Sequence, residues 1–389
     1  MSEPRSTDLF KSFDTGLLSG RPAFLFVKQT DTDGDAIYLR HYSGDGECHD
    51  VLAGKSPEGS HVPAARFVKD DGNTILALAW FHSIGQDRHQ GHFSQVVTEA
   101  SGIKVTPAQA LDFPNVIEPI LVNLVPSGEN IYFACIDGYG DGPGVVCLAT
   151  FDAGTLQPTS RVTRLDAPLS DGYGDAIERQ LGRNMSLVTD FAGGAFLQFV
   201  TTNNNIAVYR IEPPEQGNVK YHLLFRIEET DVGYHNAVYD KEYNLLLTVY
   251  SDLSRNQDEV AVYGVASRIF GANAPARKRL AAYPAAKKRL NLLPGGYTRP
   301  VISLIPHSEN YLVSWEGKQS INFAEFSAEL DHAGAEQSVP ADMPGNHRSI
   351  AAEHGYGIGY QDRCDEPRFV GLEYLSTLRA GQGEHHGRH

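Results

Sequence analysis

The chain has 389 residues, 41% of them hydrophobic, which supplies a sizeable core and excludes global disorder. It carries 48 Asp and Glu against 33 Lys and Arg, a formal charge of −15. Such a surface repels phosphate backbones and anionic bilayers, so neither nucleic acid nor a membrane is the expected partner.

The chain opens on "MSEPRSTDLFKSFD", polar and without the apolar core of a secretion signal. No apolar run approaches the roughly 18–20 residues that span a bilayer. The four cysteines (Cys48, Cys135, Cys147, Cys364) form no CxxC pair. Cys135 and Cys147 either face each other on neighbouring strands or are scattered buried thiols. These features predict a reduced, cytoplasmic protein; a secreted form with its leader removed would share them.

Helical periodicity is almost absent. Short runs of Val, Ile, Leu, Tyr and Phe alternate with Gly, Asn, Asp and Pro, the pattern of strands and turns. Residues 1–22 hold a weak strand near "FDTGLLS" and are expected to close the architecture on its last unit. Three strands follow, "AFLFVKQ", "AIYLRHY" and "CHDVL". From there one sentence recurs: an apolar strand, a polar turn, a second apolar strand. "EPILVNLVPSGENIYFACID" (118–137) and "TRPVISLIPHSENYLVSWEG" (298–317) are its clearest copies. Looser ones open near 61, 183, 235 and 347, giving spacings of 57, 65, 52, 64 and 48 residues. Each leads into a third strand, such as "VVCLATF" (145–151) or "IAVYRI" (206–211), and most into a weaker fourth.

A four-stranded unit at such a period marks a β-propeller. The expectation is an all-β, single-domain, seven-bladed β-propeller over 23–376, its seventh blade lacking an outer strand, with a disordered tail at 377–389. The rival is a pair of β-sandwiches, which needs no repeat of this period. The chain thus resembles the seven-bladed β-propellers as an architecture, and "LVPSGENIYFA" and "LIPHSENYLVS" resemble turns of lactonase-type propellers. Fold alone does not fix function.

In an antiparallel meander the start of the first strand, the turn between the second and third, and the link between units share one face. The first strand is innermost, so the residues opening each repeat crowd the central channel. They are His61, Glu118, Arg183, His235, Arg299, and His347 with Arg348. His61, His235, His347 and Glu118 are candidate acid–base groups; Arg183, Arg299 and Arg348 are candidate anion clamps. The three histidines are also candidate ligands for a divalent metal ion, against the plainer reading of channel histidines bonded to backbone.

"FHSIGQDRHQGH" reads as a turn on the same face and adds His89. Asp-Gly-Tyr-Gly-Asp occurs twice, at 137–141 and 171–175, either as Gly-rich turns or as a ligand wall carrying Tyr139 and Tyr173. "DTDGDA" (31–36) opens like a calcium loop but has Tyr42 at the twelfth position, so an acidic turn fits better. "ARKRLAAYPAAKKRL" (276–290) is a basic insertion, read as a solvated helical excursion broken at Pro284 or as a rim that attracts anions. Nucleophile elbows and phosphate loops are absent from the sequence.

The set favours an enzyme that acts on a small anionic or carbonyl-containing ligand by acid–base chemistry: a lyase, an isomerase, or a lactone or ester hydrolase. The alternative is a non-catalytic propeller that binds a protein or a glycan.

Overall fold

The computed structural model describes residues 13–18, 21–28, 36–42, 47–55, 66–70, 74–85, 88–99, 102–106, 109–114, 119–137, 145–165, 185–201, 205–228, 232–252, 260–270, 281–284, 287–292, 299–305, 308–341, 345–352, 355–361 and 367–370. All regular elements among them are strands.

The first sheet holds β1 (Phe13–Leu18), β2 (Arg21–Lys28), β3 (Ala36–Tyr42) and β4 (Cys48–Lys55). The second holds β5 (Arg66–Asp70), β6 (Thr74–Gly85), β7 (Arg88–Glu99) and β8 (Gly102–Val105), with β9 (Gln109–Pro114) also on β7. The third is β10 (Pro119–Ser127), β11 (Asn130–Asp137), β12 (Val145–Asp152) and β13 (Thr163–Leu165). The fourth is β14 (Met185–Thr189), β15 (Ala195–Val200), β16 (Ile206–Ile211) and β17 (Tyr221–Ile227). The fifth is β18 (Val232–Asp240), β19 (Leu245–Asp252), β20 (Ala261–Phe270) and β21 (Ala281–Pro284), with β22 (Lys288–Arg289) also on β20. The sixth is β23 (Val301–Leu304), β24 (Tyr311–Glu316), β25 (Ser320–Phe326) and β26 (Gln337–Pro340). The last is β27 (Gly345–Ala352), β28 (Gly355–Gln361) and β29 (Pro367–Val370).

Every described pairing of consecutive strands is antiparallel, and first strands of consecutive sheets lie against one another. This is a β-propeller of four-stranded antiparallel blades. Five blades, rather than the expected seven, are described with their packing: the first, third, fourth, fifth and sixth sheets. The second and the last are described mainly by backbone.

The core sits between sheets, which explains why the strands read as they do. Tyr132, Ala134 and Ile136 of the third sheet pack on Met185, Leu197 and Phe199 of the fourth. Phe196 and Val208 of the fourth meet Ala237, Tyr239 and Leu246 of the fifth. Leu247 and Val249 of the fifth meet Val313, Trp315 and Phe326 of the sixth. Second and third strands are therefore covered on both faces; β15, β16, β19 and β24 are buried at every position and apolar at most. Full burial of each large side chain stabilises by about 1.5–3 kcal/mol. Trp315 is one of these core residues, wholly buried.

Three expectations need correction or refinement. "FHSIGQDRHQGH" is mostly strand, since β6 and β7 form a long hairpin closed at Gly85 and Arg88. The basic insertion contains strand rather than helix: β20 is ten residues long, and β21 and β22 pair with separate parts of its edge. Pro284 is tolerated because it ends an edge strand. Cys135 and Cys147 do face each other, as directly paired residues of β11 and β12, and both remain buried thiols.

Candidate functional site at the inner strands

Four first strands carry a register shift: β10 between Ile120 and Asn123, β18 between Val232 and His235, β27 between Gly345 and His347, and β5 between Phe67 and Lys69. An extra residue in one strand bends it and re-aims the side chains that follow. In β18 the displaced Tyr234 N–H finds the Ser251 hydroxyl at 2.9 Å instead of a ladder partner. His235 and His347 emerge from two of these shifts, opposite Tyr250 and Tyr360 respectively.

That shift sets where each imidazole goes. From His235 onward β18 alternates buried and half-buried. His235 shares its face with Ala237 and Tyr239, which pack on the fourth sheet. The ring is fully buried there, with the Gln198 backbone as its one polar neighbour among the described residues. Burial drives its pKa down to about 4, with the Gln198 backbone opposing, so the ring is neutral at pH 7.

His347 shares its face with Ser349, whose hydroxyl meets that of Ser303 on the sixth sheet. Its Nδ1 stands 3.6 Å from Glu316 Oε1 at the end of β24, with His347 fully buried and Glu316 nearly so. Both ring nitrogens, Glu316 Oε1 and the Ser314 hydroxyl lack hydrogen bonds among the described residues. Ser314 and Glu316 are two apart on β24 and so share a face. His235 and His347 thus stand in different interfaces, between the fourth and fifth sheets and between the sixth and last.

The intervening positions line the inner edge of the sheets and stitch them together. Asn123 Nδ2 donates to the Met185 carbonyl at 2.8 Å, and Ile302 N–H donates to Asn236 Oδ1 at 3.1 Å. Arg299 sits over the Tyr234 ring, 4.7 Å from its centroid, and donates to its hydroxyl at 3.4 Å. Arg348 points the opposite way from His347 and reaches Asp14 of β1, Nε to Oδ1 3.9 Å. Both arginines and Asp14 are half-buried. The inner edge is therefore polar, with planar guanidinium donors on two neighbouring sheets.

Of the other candidates, His89 lies in β7 between Ser83 and Phe113. His61, Glu118, Arg183, Tyr139 and Tyr173 lie outside the described residues, as do the second Asp-Gly-Tyr-Gly-Asp and most of the first. Among the described residues no three His, Cys, Asp or Glu side chains gather as cation ligands. His347 and Glu316 are two donors of the kind a divalent cation takes. Glu316 escaped the reading of the sequence because it ends an otherwise apolar strand, "YLVSWE"; the polar pair Ser314 and Glu316 two residues apart was its only signal.

No protein-family model matches the sequence, and no curated protein matches it. Similarity to solved structures is low. The β-propeller domain of Nup133 from Vanderwaltozyma polyspora is 13% identical with a TM-score of 0.48, over 87% of this chain and 91% of that one. The β-propeller domain of the Trilobed protease from Pyrococcus furiosus is 10% identical with a TM-score of 0.47, over 93% and 98%. The Synechocystis apocarotenoid oxygenase is 11% identical with a TM-score of 0.45, over 91% and 87%.

Proposed function

We propose that the chain is a small-molecule enzyme whose site lies where the first strands begin, and that it takes an anionic or carbonyl-containing substrate. The observation that carries this reading is the buried His347–Glu316 pair, 3.6 Å apart, with ring nitrogens that no described group satisfies. A carboxylate facing an imidazole is the pairing of a general base and its orienting group, and here the two stand just beyond hydrogen-bond distance, open to tightening around a ligand. Polar atoms left unsatisfied in a protein interior cost roughly 1–3 kcal/mol each, which a purely structural contact gives no reason to keep. Arg299 and Arg348 supply bidentate donors for a carboxylate or phosphate. His61, Arg183, Glu118, Tyr139 and Tyr173 are assigned to the same face by their places in the repeat.

The same reading takes all the sheets as blades of one seven-membered ring. It is supported by the sequence of first-strand contacts, β27 lying against β1, and by Arg348 reaching Asp14 across that junction. A cytoplasmic location remains part of the proposal. The adjacent buried thiols of Cys135 and Cys147 suit a reducing compartment.

The test is a thermal-shift panel of small carboxylates, phosphate esters and lactones on the wild type, Arg299→Ala and Arg348→Ala. Stabilisation by members of the anionic set, lost in both variants, is the expected result. A panel without a stabilising compound, or shifts that both variants retain, would replace this reading with the non-catalytic binding propeller.

A further inference from the structure

The opposite face, formed by the turns between first and second strands, carries a feature unrelated to the inner-strand site. Phe191 projects from the β14–β15 turn with 49% of its surface exposed, and Tyr243 projects from the β18–β19 turn with 37%. These are neighbouring turns on adjacent blades. They are physically joined, because Lys241 Nζ of the second lies 5.4 Å from the Phe191 ring centroid of the first.

Both turns are rigidly built. Asp190, buried at the end of the first strand, accepts from Ala192 N at 2.8 Å and Gly194 N at 2.7 Å, and Arg210 anchors its other oxygen at 2.6 Å. Phe191 is thereby held at φ 57°, a conformation that costs a bulky side chain about 1–3 kcal/mol. Asp240 holds the second turn in the same way, accepting from Glu242 N at 2.8 Å and Tyr243 N at 3.2 Å.

The charge around Tyr243 is acidic. Glu242 and Glu309 are exposed, and with Asp240 they push the pKa of its hydroxyl up, Glu309 foremost. Lys241 already occupies the face of Phe191. It shows that a cation fits there, with carboxylates at hand.

We propose that the Phe191–Tyr243 patch is a docking surface for a protein segment that presents arginine or lysine side chains. One incoming guanidinium displaces Lys241 from the Phe191 ring and a second pairs with Glu242 or Glu309 beside Tyr243, combining cation–π and ionic attraction. The preformed turns lower the ordering cost of binding.

The experiment is fluorescence anisotropy with a labelled Arg–Gly repeat peptide, and a Glu–Gly repeat as the reverse-charge probe. The wild type should bind the first and ignore the second. Phe191→Ala, which leaves the net charge unchanged, should weaken binding roughly fivefold, the scale of one exposed cation–π contact. Glu309→Gln should weaken it more than Glu47→Gln, an equal charge change at an exposed residue before β4 of the first sheet. Melting curves that match the wild type establish that each variant is folded. Equal binding by Phe191→Ala, equal effects of the two glutamate variants, or an unbound peptide would each overturn the proposal. The first two outcomes would reduce the attraction to the net charge of the chain.

Discussion

The two ends of the blades, where first strands open and where they turn into second strands, are built on opposite terms. At the turn end the two aspartates, Asp190 buried and Asp240 half-buried, are matched to partners. Asp190 takes two backbone N–H groups, the Arg210 guanidinium and, at 3.4 Å, the Ser127 hydroxyl. Asp240 takes two N–H groups and the Tyr311 hydroxyl of the next blade at 2.6 Å. At the opening end His347, Ser314 and Glu316 are buried, yet the described residues leave atoms of each unsatisfied. Satisfied buried networks rigidify, whereas unsatisfied ones cost stability and are kept where chemistry needs them. The turn end holds the blades together; the opening end is the part of the strand left for function.

The largest effect expected from breaking this contrast is at Asp190. Asp190→Ala leaves the Arg210 charge buried and two N–H groups unpaired, and should cost about 3–5 kcal/mol in urea unfolding. A loss below about 1 kcal/mol would mean that the turn end is not the stabilising one.

His235 predicts a pH signature for the opening end. Its pKa is about 4 in the folded protein against the ordinary 6.5, so between these values the unfolded chain binds more protons. Stability is therefore full above pH 6.5 and falls as pH drops towards 4, by on the order of 3 kcal/mol in total. His235→Gln should flatten that part of the pH–stability curve. An unchanged slope would locate the acid sensitivity elsewhere.

Smaller effects sharpen the picture of the turn end. A Cβ on Gly194 would stand 2.6 Å from both Asp190 Oδ2 and the Ile211 carbonyl, so Gly194→Ala should cost about 1–3 kcal/mol by the same unfolding assay. Tyr311→Phe removes one hydroxyl from Asp240 and should cost about 1 kcal/mol, since the carboxylate keeps its two backbone donors. An effect of Tyr311→Phe as large as that of Asp190→Ala would show that the blade contact, and not the turn itself, carries the stability.

The strand repeat was legible because each blade repeats the same burial problem. "NIYFACID" and "YLVSWE" are apolar because their strands are covered on both faces, and this shows in composition alone. The places of His235 and His347 at the starts of first strands were legible for the same reason. Their direction was not, because a register shift depends on how two strands pair, and "VGYHNAVYD" alternates no differently with one than without. Asp190 was hidden in a stretch that reads as an ordinary turn, "TDFAGGA", and Arg210 in an apolar strand; their partnership spans twenty residues and exists only after folding.

The most direct measurement follows stability and anion response together in Glu316→Gln and His347→Gln. If the buried pair exists for function, both variants lose the anion-induced rise in melting temperature, while the ligand-free melting temperature stays at or above that of the wild type. If both variants melt well below the wild type and keep the full anion response, the pair is structural and the site at the inner strands is wrong.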